Sequence, residues 1–64
     1  MHTLTADQLK VGMTVYRPRD GKKLHLIGED HGVSEGNRGF YALGPRGGWE
    51  ALVVAHTETV QVAA

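Results

Sequence analysis

The side chains with the most chemical potential in this sequence are cationic and aromatic. Arg17, Arg19, Lys22 and Lys23 fall within seven residues, opposed only by Asp20. A turn this rich in cations suits phosphate groups or an acidic protein surface. Arg46 and Trp49 sit in and after a Gly-Pro-Arg-Gly-Gly break. Guanidinium groups beside an indole, with Tyr16 nearby, would serve backbone contact combined with base stacking. Against nucleic acid stands a pI of 6.9, where dedicated nucleic-acid binders usually lie above about 9. A protein partner, or a second copy of the chain, is therefore the first expectation, and nucleic acid the alternative. Tyr16 and His25, with Ile27 beside them, are a second candidate contact surface, because exposed aromatic and aliphatic side chains can mark an interface; the alternative is that the amino-terminal turn covers them, with Leu4 and Leu9 packed on Ile27.

Other chemistries find few residues to work with. Ser34 is the one serine and cysteine is absent, so a nucleophile–base pair has a single poor candidate. The 44–48 segment has neither the lysine nor the hydroxyl residue of a phosphate loop, and no helix follows it. Glu29, Asp30 and His31 are adjacent, with His56 as a further donor. None of these pairs has a spacing that sets two ligands on one helical face, and neighbours on a strand point to opposite sides. The expectation is a non-enzymatic protein with no catalytic residues, cofactor or metal.

These side chains must be positioned by a very small scaffold. Sixty-four residues make one domain, and a chain of this size buries only about 60% of the surface its unfolded form exposes. No disulfide can supplement that core. Apolar residues make up 41% of the chain, charged residues 22%, and the net charge is zero, which is not the pattern of a disordered segment. No apolar run approaches the roughly 18 residues of a membrane span. The amino terminus lacks the basic-then-apolar order of a signal peptide, so a cytoplasmic protein without membrane contact is expected.

The elements read as strands. Thr5 and Gln8 are spaced as a capping box, but Gly12 follows too soon for a helix, so one helical turn is expected over 6–10, with Leu4 and Leu9 plugging one end of a sheet. Residues 13–17 and 23–28 alternate as a hairpin. Asp20-Gly21 suggests a type I′ turn between them, which would set Val15 opposite Leu26 and Tyr16 opposite His25. Met13, Val15, Leu24 and Leu26 then face the core. Residues 29–38 read as a polar, mobile loop with Val33 as its apolar anchor. The 39–56 stretch is the central hairpin, with two possible registers. A 44–48 loop groups Tyr41, Leu43, Trp49, Ala51 and Val53; a loop one residue shorter groups Phe40 and Ala42 with Trp49, Ala51 and Val53. The second is preferred because it buries both Phe40 and Trp49, making Val15, Leu26, Phe40 and Val53 core. A last strand covers 59–62.

Five antiparallel strands in this length curl most easily into a small barrel, since closure removes exposed edges. The run through Leu9, Gly12 and Val15, a leucine-bearing turn leading through glycine into the first strand, resembles the opening of SH3-like barrels. The resemblance implies an all-β, five-stranded SH3-like antiparallel barrel with one short amino-terminal helical turn, and transfers no functional residue. A meander of this kind would gather Arg17, Arg19, Lys22, Lys23, Arg46 and Trp49 at one pole. Glu29, Asp30, Glu35 and Glu58 would lie at the other, a layout that favours head-to-tail self-association.

Overall fold

Alternation through Leu24 and Leu26 decides which side of the sheet is buried. The computed structural model describes residues 2–63. It has six strands: β1 His2–Thr5, β2 Thr14–Tyr16, β3 Lys23–Asp30, β4 Asn37–Leu43, β5 Trp49–Ala55 and β6 Thr59–Val62. A 3₁₀ turn, Ala6–Gln8, follows β1. All pairings are antiparallel, and the sheet order is β1-β6-β2-β3-β4-β5. Leu9, Val15, Leu24, Leu26, Phe40, Leu52 and Val60 are fully buried in one cluster, which Ala6, Ala42 and Val54 complete.

The all-β class and the short helical turn are as the sequence implies. The five-stranded closed barrel is not: the described residues form six strands, and the sheet does not close, leaving β1 and β5 at its margins. The unexpected strand is β1, which pairs Leu4 with Val60 and Thr5 with Thr59. Its one large apolar residue, Leu4, packs against the core, too little to show a period of two. Gln8 Oε1 accepts from the Thr5 N–H at 3.0 Å and so ties β1 to the 3₁₀ turn.

The first hairpin keeps the expected faces but not the expected partners. Val15 stands opposite Leu24, Tyr16 opposite Lys23 and Thr14 opposite His25. Asp20 has no positive φ, so Asp20-Gly21 is not a type I′ turn. Residues 18–21 form a longer loop in which Gly21, at φ 73°, donates to the Arg17 carbonyl. Asp20 instead uses its carboxylate, which accepts from the Lys22 N–H at 3.1 Å. A shift of two residues preserves the side each residue faces, so Val15, Leu24 and Leu26 remain core.

The 29–38 segment is a loop only at its centre, and strand at both ends. β3 and β4 continue to pair through Glu29–Phe40 and Asp30–Gly39, past a bulge between Leu26 and Gly28. Only residues 31–36 turn. Gly39 is what lets them fold back: a Cβ there would stand 2.5 Å from Val33 Cγ1 and 3.0 Å from the Asp30 carbonyl oxygen. Val33 is thus an anchor, seated on a glycine.

The central hairpin takes the register with the 44–48 loop. Gly44 donates to Gly48 O, and Gly47, at φ 79°, donates to Gly44 O. This sets Leu43 opposite Trp49 and Phe40 opposite Leu52. Phe40, Ala42, Leu52 and Val54 turn inward, while Val53 is 53% exposed. Val53 is therefore not core, and the preference for burying Phe40 and Trp49 together is overturned by turn geometry.

Candidate functional site

The same register that buries Phe40 turns Tyr41, Trp49, Ala51 and Val53 to the outside. Trp49 is 75% exposed, Tyr41 48% and Ile27 of β3 36%. The Tyr41 ring lies over Gly28, where an added Cβ would meet it at 3.7 Å. Between Ile27, Gly28, Tyr41 and Trp49 is an apolar recess of about 400 Å³. A larger depression of about 840 Å³ adjoins it, sharing Tyr41 and Trp49, with Ala51 and Val53 in its lining and Pro18, Arg19 and Glu58 contributing from neighbouring segments.

Arg17 fixes the wall of that depression. It is 6% exposed, and its guanidinium fork grips Asp20 through Nε–Oδ1 at 3.0 Å and Nη2–Oδ2 at 2.7 Å. Its Nη1 reaches Glu50 Oε1 at 3.1 Å and the Ala51 carbonyl at 2.9 Å. Lys22 Nζ holds the other Glu50 oxygen at 2.9 Å. Two loops remote in sequence are thereby joined, and the outer edge of β5 is covered. At the far end of β5, Glu58 Oε1 accepts from the Ala55 N–H, and the Glu58 N–H donates to Ala55 O. Covered edges of this kind resist pairing with other chains without closing the sheet.

The carboxylates in this network respond to their cations. The hydrogen bond from Arg17, then that from the Lys22 backbone, holds the Asp20 carboxyl far below its usual range. Glu50 is lowered by Lys22 first and Arg17 second, and Arg17 is raised chiefly by Asp20. Depressed folded values mean that this stabilisation is fully present above the unfolded pKa values of about 3.9 and 4.3. It is lost as pH falls through the lower folded values. Urea unfolding should therefore give nearly constant stability from pH 7 to 5 with respect to these groups and a decline below about pH 4. A decline of equal slope in Asp20→Asn would remove Asp20 from that account.

The sequence-derived candidates are dispersed. Arg17 is an interior tie, not a surface cation. Arg19 is exposed and lines the depression with Trp49. Lys22 is paired with Glu50 and borders a smaller recess beside Arg46. Lys23 is exposed opposite Tyr16, which is half-buried. His25 is not the cross-strand partner of Tyr16: its Nδ1 lies 3.1 Å from Thr14 Oγ1, and it sits opposite Leu43, which in turn faces Trp49. His25 therefore shares the outer surface with Trp49.

The two-pole charge layout fails for a topological reason. β6 inserts between β1 and β2 instead of flanking β5, and Glu58 thereby lines the same depression as Arg19. Asp20 and Glu50 further neutralise the basic turn. At the opposite end Arg38 is likewise engaged, with Glu29 at 2.8 Å and with the carbonyls of Ala6 and Leu9. His56 contacts Asp7, and His31 lies 3.7 Å from Glu29; no three potential ligands converge on a metal position among the described residues. No helix among them is long and apolar enough to cross a membrane.

Tyr41, Ala51, Val53 and Pro18 were not singled out as contact residues in the sequence, and Glu58 was placed at the pole opposite Arg19. The 44–48 loop alternative already grouped Tyr41, Trp49, Ala51 and Val53, so the signal was present in the register. No protein-family model and no curated protein matches this chain.

Proposed function

We propose that this domain is a non-enzymatic binding module that contacts a protein partner through the outward face of β3, β4 and β5. The observation that carries this reading is the clustering of Ile27, Tyr41, Trp49 and Val53, all at least 36% exposed, on one side of the sheet. Large side chains singly exposed are ordinary, whereas a contiguous group rimmed by polar residues marks an interaction surface. Aromatic anchors with a charged rim match the anatomy of protein interfaces. Phosphate recognition is less well served, because Arg17 and Lys22 already serve Asp20 and Glu50.

Trp49 is the single tryptophan of the chain, so its emission reports directly on this face. Immobilised domain incubated with nuclease-treated extract is expected to retain protein at both about 0.15 M and about 1 M salt, since screening weakens exposed charge contacts far more than apolar ones. Trp49→Ala should abolish that retention, and a bound partner should blue-shift the wild-type emission. In a parallel incubation with extract not treated with nuclease, retention only of nucleic acid, released by raised salt with the steep dependence of phosphate contacts, would replace this reading with the nucleic-acid one.

A further inference from the structure

We propose that the partner seated on this face is a second copy of the chain, related by a two-fold axis; this rests on the protein-binding reading just given. An isologous contact requires one surface to carry both halves of every complementary pair. This surface does so in shape and in charge. Trp49 projects from it, and beside Trp49 lies the depression of about 840 Å³ with the small side chains of Ala51 and Val53 in its lining. Each copy thus offers a ring and a recess.

Arg19 and Glu58 border that same depression and make no ion pair among the described residues. Close to a two-fold axis, Arg19 of each copy meets Glu58 of the other. A net charge of zero and a pI of 6.9 leave no long-range repulsion to keep copies apart. Burying the exposed parts of Ile27, Tyr41, Trp49 and Val53 on both copies would remove on the order of 1,000 Å² from water, the lower bound for a specific interface.

The contact is face to face, not along the β5 edge. Adding a strand to β5 requires its outward backbone groups, but Ala51 O is held by Arg17, and Ala55 N–H and O are held by the 56–58 turn. These ties interrupt the edge at Ala51 and Ala55, so β5 offers no continuous ladder along its length.

Sedimentation equilibrium of the full chain from about 1 μM to 1 mM tests the proposal. The expected result is a monomer–dimer equilibrium that stops at two copies. Val53→Glu should weaken it at least about tenfold, as a charge desolvated against apolar surface must. Arg19→Glu and Glu58→Arg should each weaken it, and an equimolar mixture of those two variants should restore it, because opposite charges then meet at both contacts. Glu58→Arg also removes the bond to Ala55 N–H; if its thermal melt shows it unfolded, Val53→Glu and Arg19→Glu decide alone. Growth beyond two copies, or a dimer indifferent to Val53→Glu, overturns the two-fold face. A monomer throughout overturns self-association. If extract capture then still depends on Trp49, the binding-module reading stands with a different partner; if it does not, both fall.

Discussion

Phe40→Ala is expected to remove about 3–5 kcal/mol of stability, most of the roughly 3–10 kcal/mol available to a domain of this length. Phe40 is 1% exposed and is the largest side chain in the core. It stands opposite Leu52 on β5 and near Glu29 on β3, so its loss leaves a void that two neighbouring strands must both collapse to fill. The guanidinium of Arg38 lies 4.7 Å from its ring centroid while bonding Ala6 O and Leu9 O. Removing the ring also undercuts the group that fastens the 3₁₀ turn to the sheet. Val53→Thr, on the outer side of the adjacent strand, should change stability by no more than about 0.5 kcal/mol. Urea unfolding followed by far-ultraviolet circular dichroism is the appropriate measurement, since Trp49 is already solvated in the folded state. A Val53→Thr loss equal to that of Phe40→Ala would mean that the central hairpin has the opposite register.

How much of this was legible in the sequence depends on how strongly each segment constrains its own register. Leu24 and Leu26 alternate with charged and polar neighbours, so the buried face of β3 follows from the pattern alone. In the 39–56 stretch, apolar residues occupy both faces of β5. Trp49, Ala51 and Val53 compete with Leu52 and Val54 for the interior, and hydrophobicity cannot choose between them. The choice falls to the 44–48 loop, where Gly47 at positive φ closes a five-residue connection. A preference for burying the indole therefore pointed the wrong way. β1 and the far ends of β3 and β4, at Glu29 and Asp30 and at Asn37 and Arg38, were missed because their pairing rests on backbone ladders between polar residues, and on the space that Gly39 leaves for Val33.

The contact surface was half legible for a related reason. Counting cations locates Arg17, Arg19, Lys22 and Lys23, but it does not show which of them face an internal carboxylate. Glu50 is 33 residues from Arg17, and only the joining of the two hairpin ends reveals the pair. The crossover that lodges β6 between β1 and β2 is equally invisible in local pattern, since Val60 and Val62 would satisfy either neighbour. That crossover, more than any side chain, changes the charge layout from two poles to a mixed rim.

Arg17→Met is expected to destabilise the domain by about 2–4 kcal/mol, the range set by several charged hydrogen bonds lost from a nearly buried group. The lower part of that range is favoured because Asp20 and Glu50 are partly exposed, with side chains 38% and 25% accessible, so water takes over some of their solvation. Methionine keeps the volume of the aliphatic stem and isolates the effect of the guanidinium. Arg17→Lys should recover less than half of the loss, because one ammonium cannot span Asp20, Glu50 and the Ala51 carbonyl together. Two further readouts separate this tie from generic packing. The decline of stability below about pH 4 should flatten in Arg17→Met, since Asp20 and Glu50 then titrate closer to their unfolded values. The freed Ala51 carbonyl should also open the outer edge of β5 to strand addition, seen as concentration-dependent growth beyond two copies. Unchanged acid sensitivity together with a melt within a degree or two of the parent would show that Arg17 is a bystander and that the two loops are held by the sheet alone.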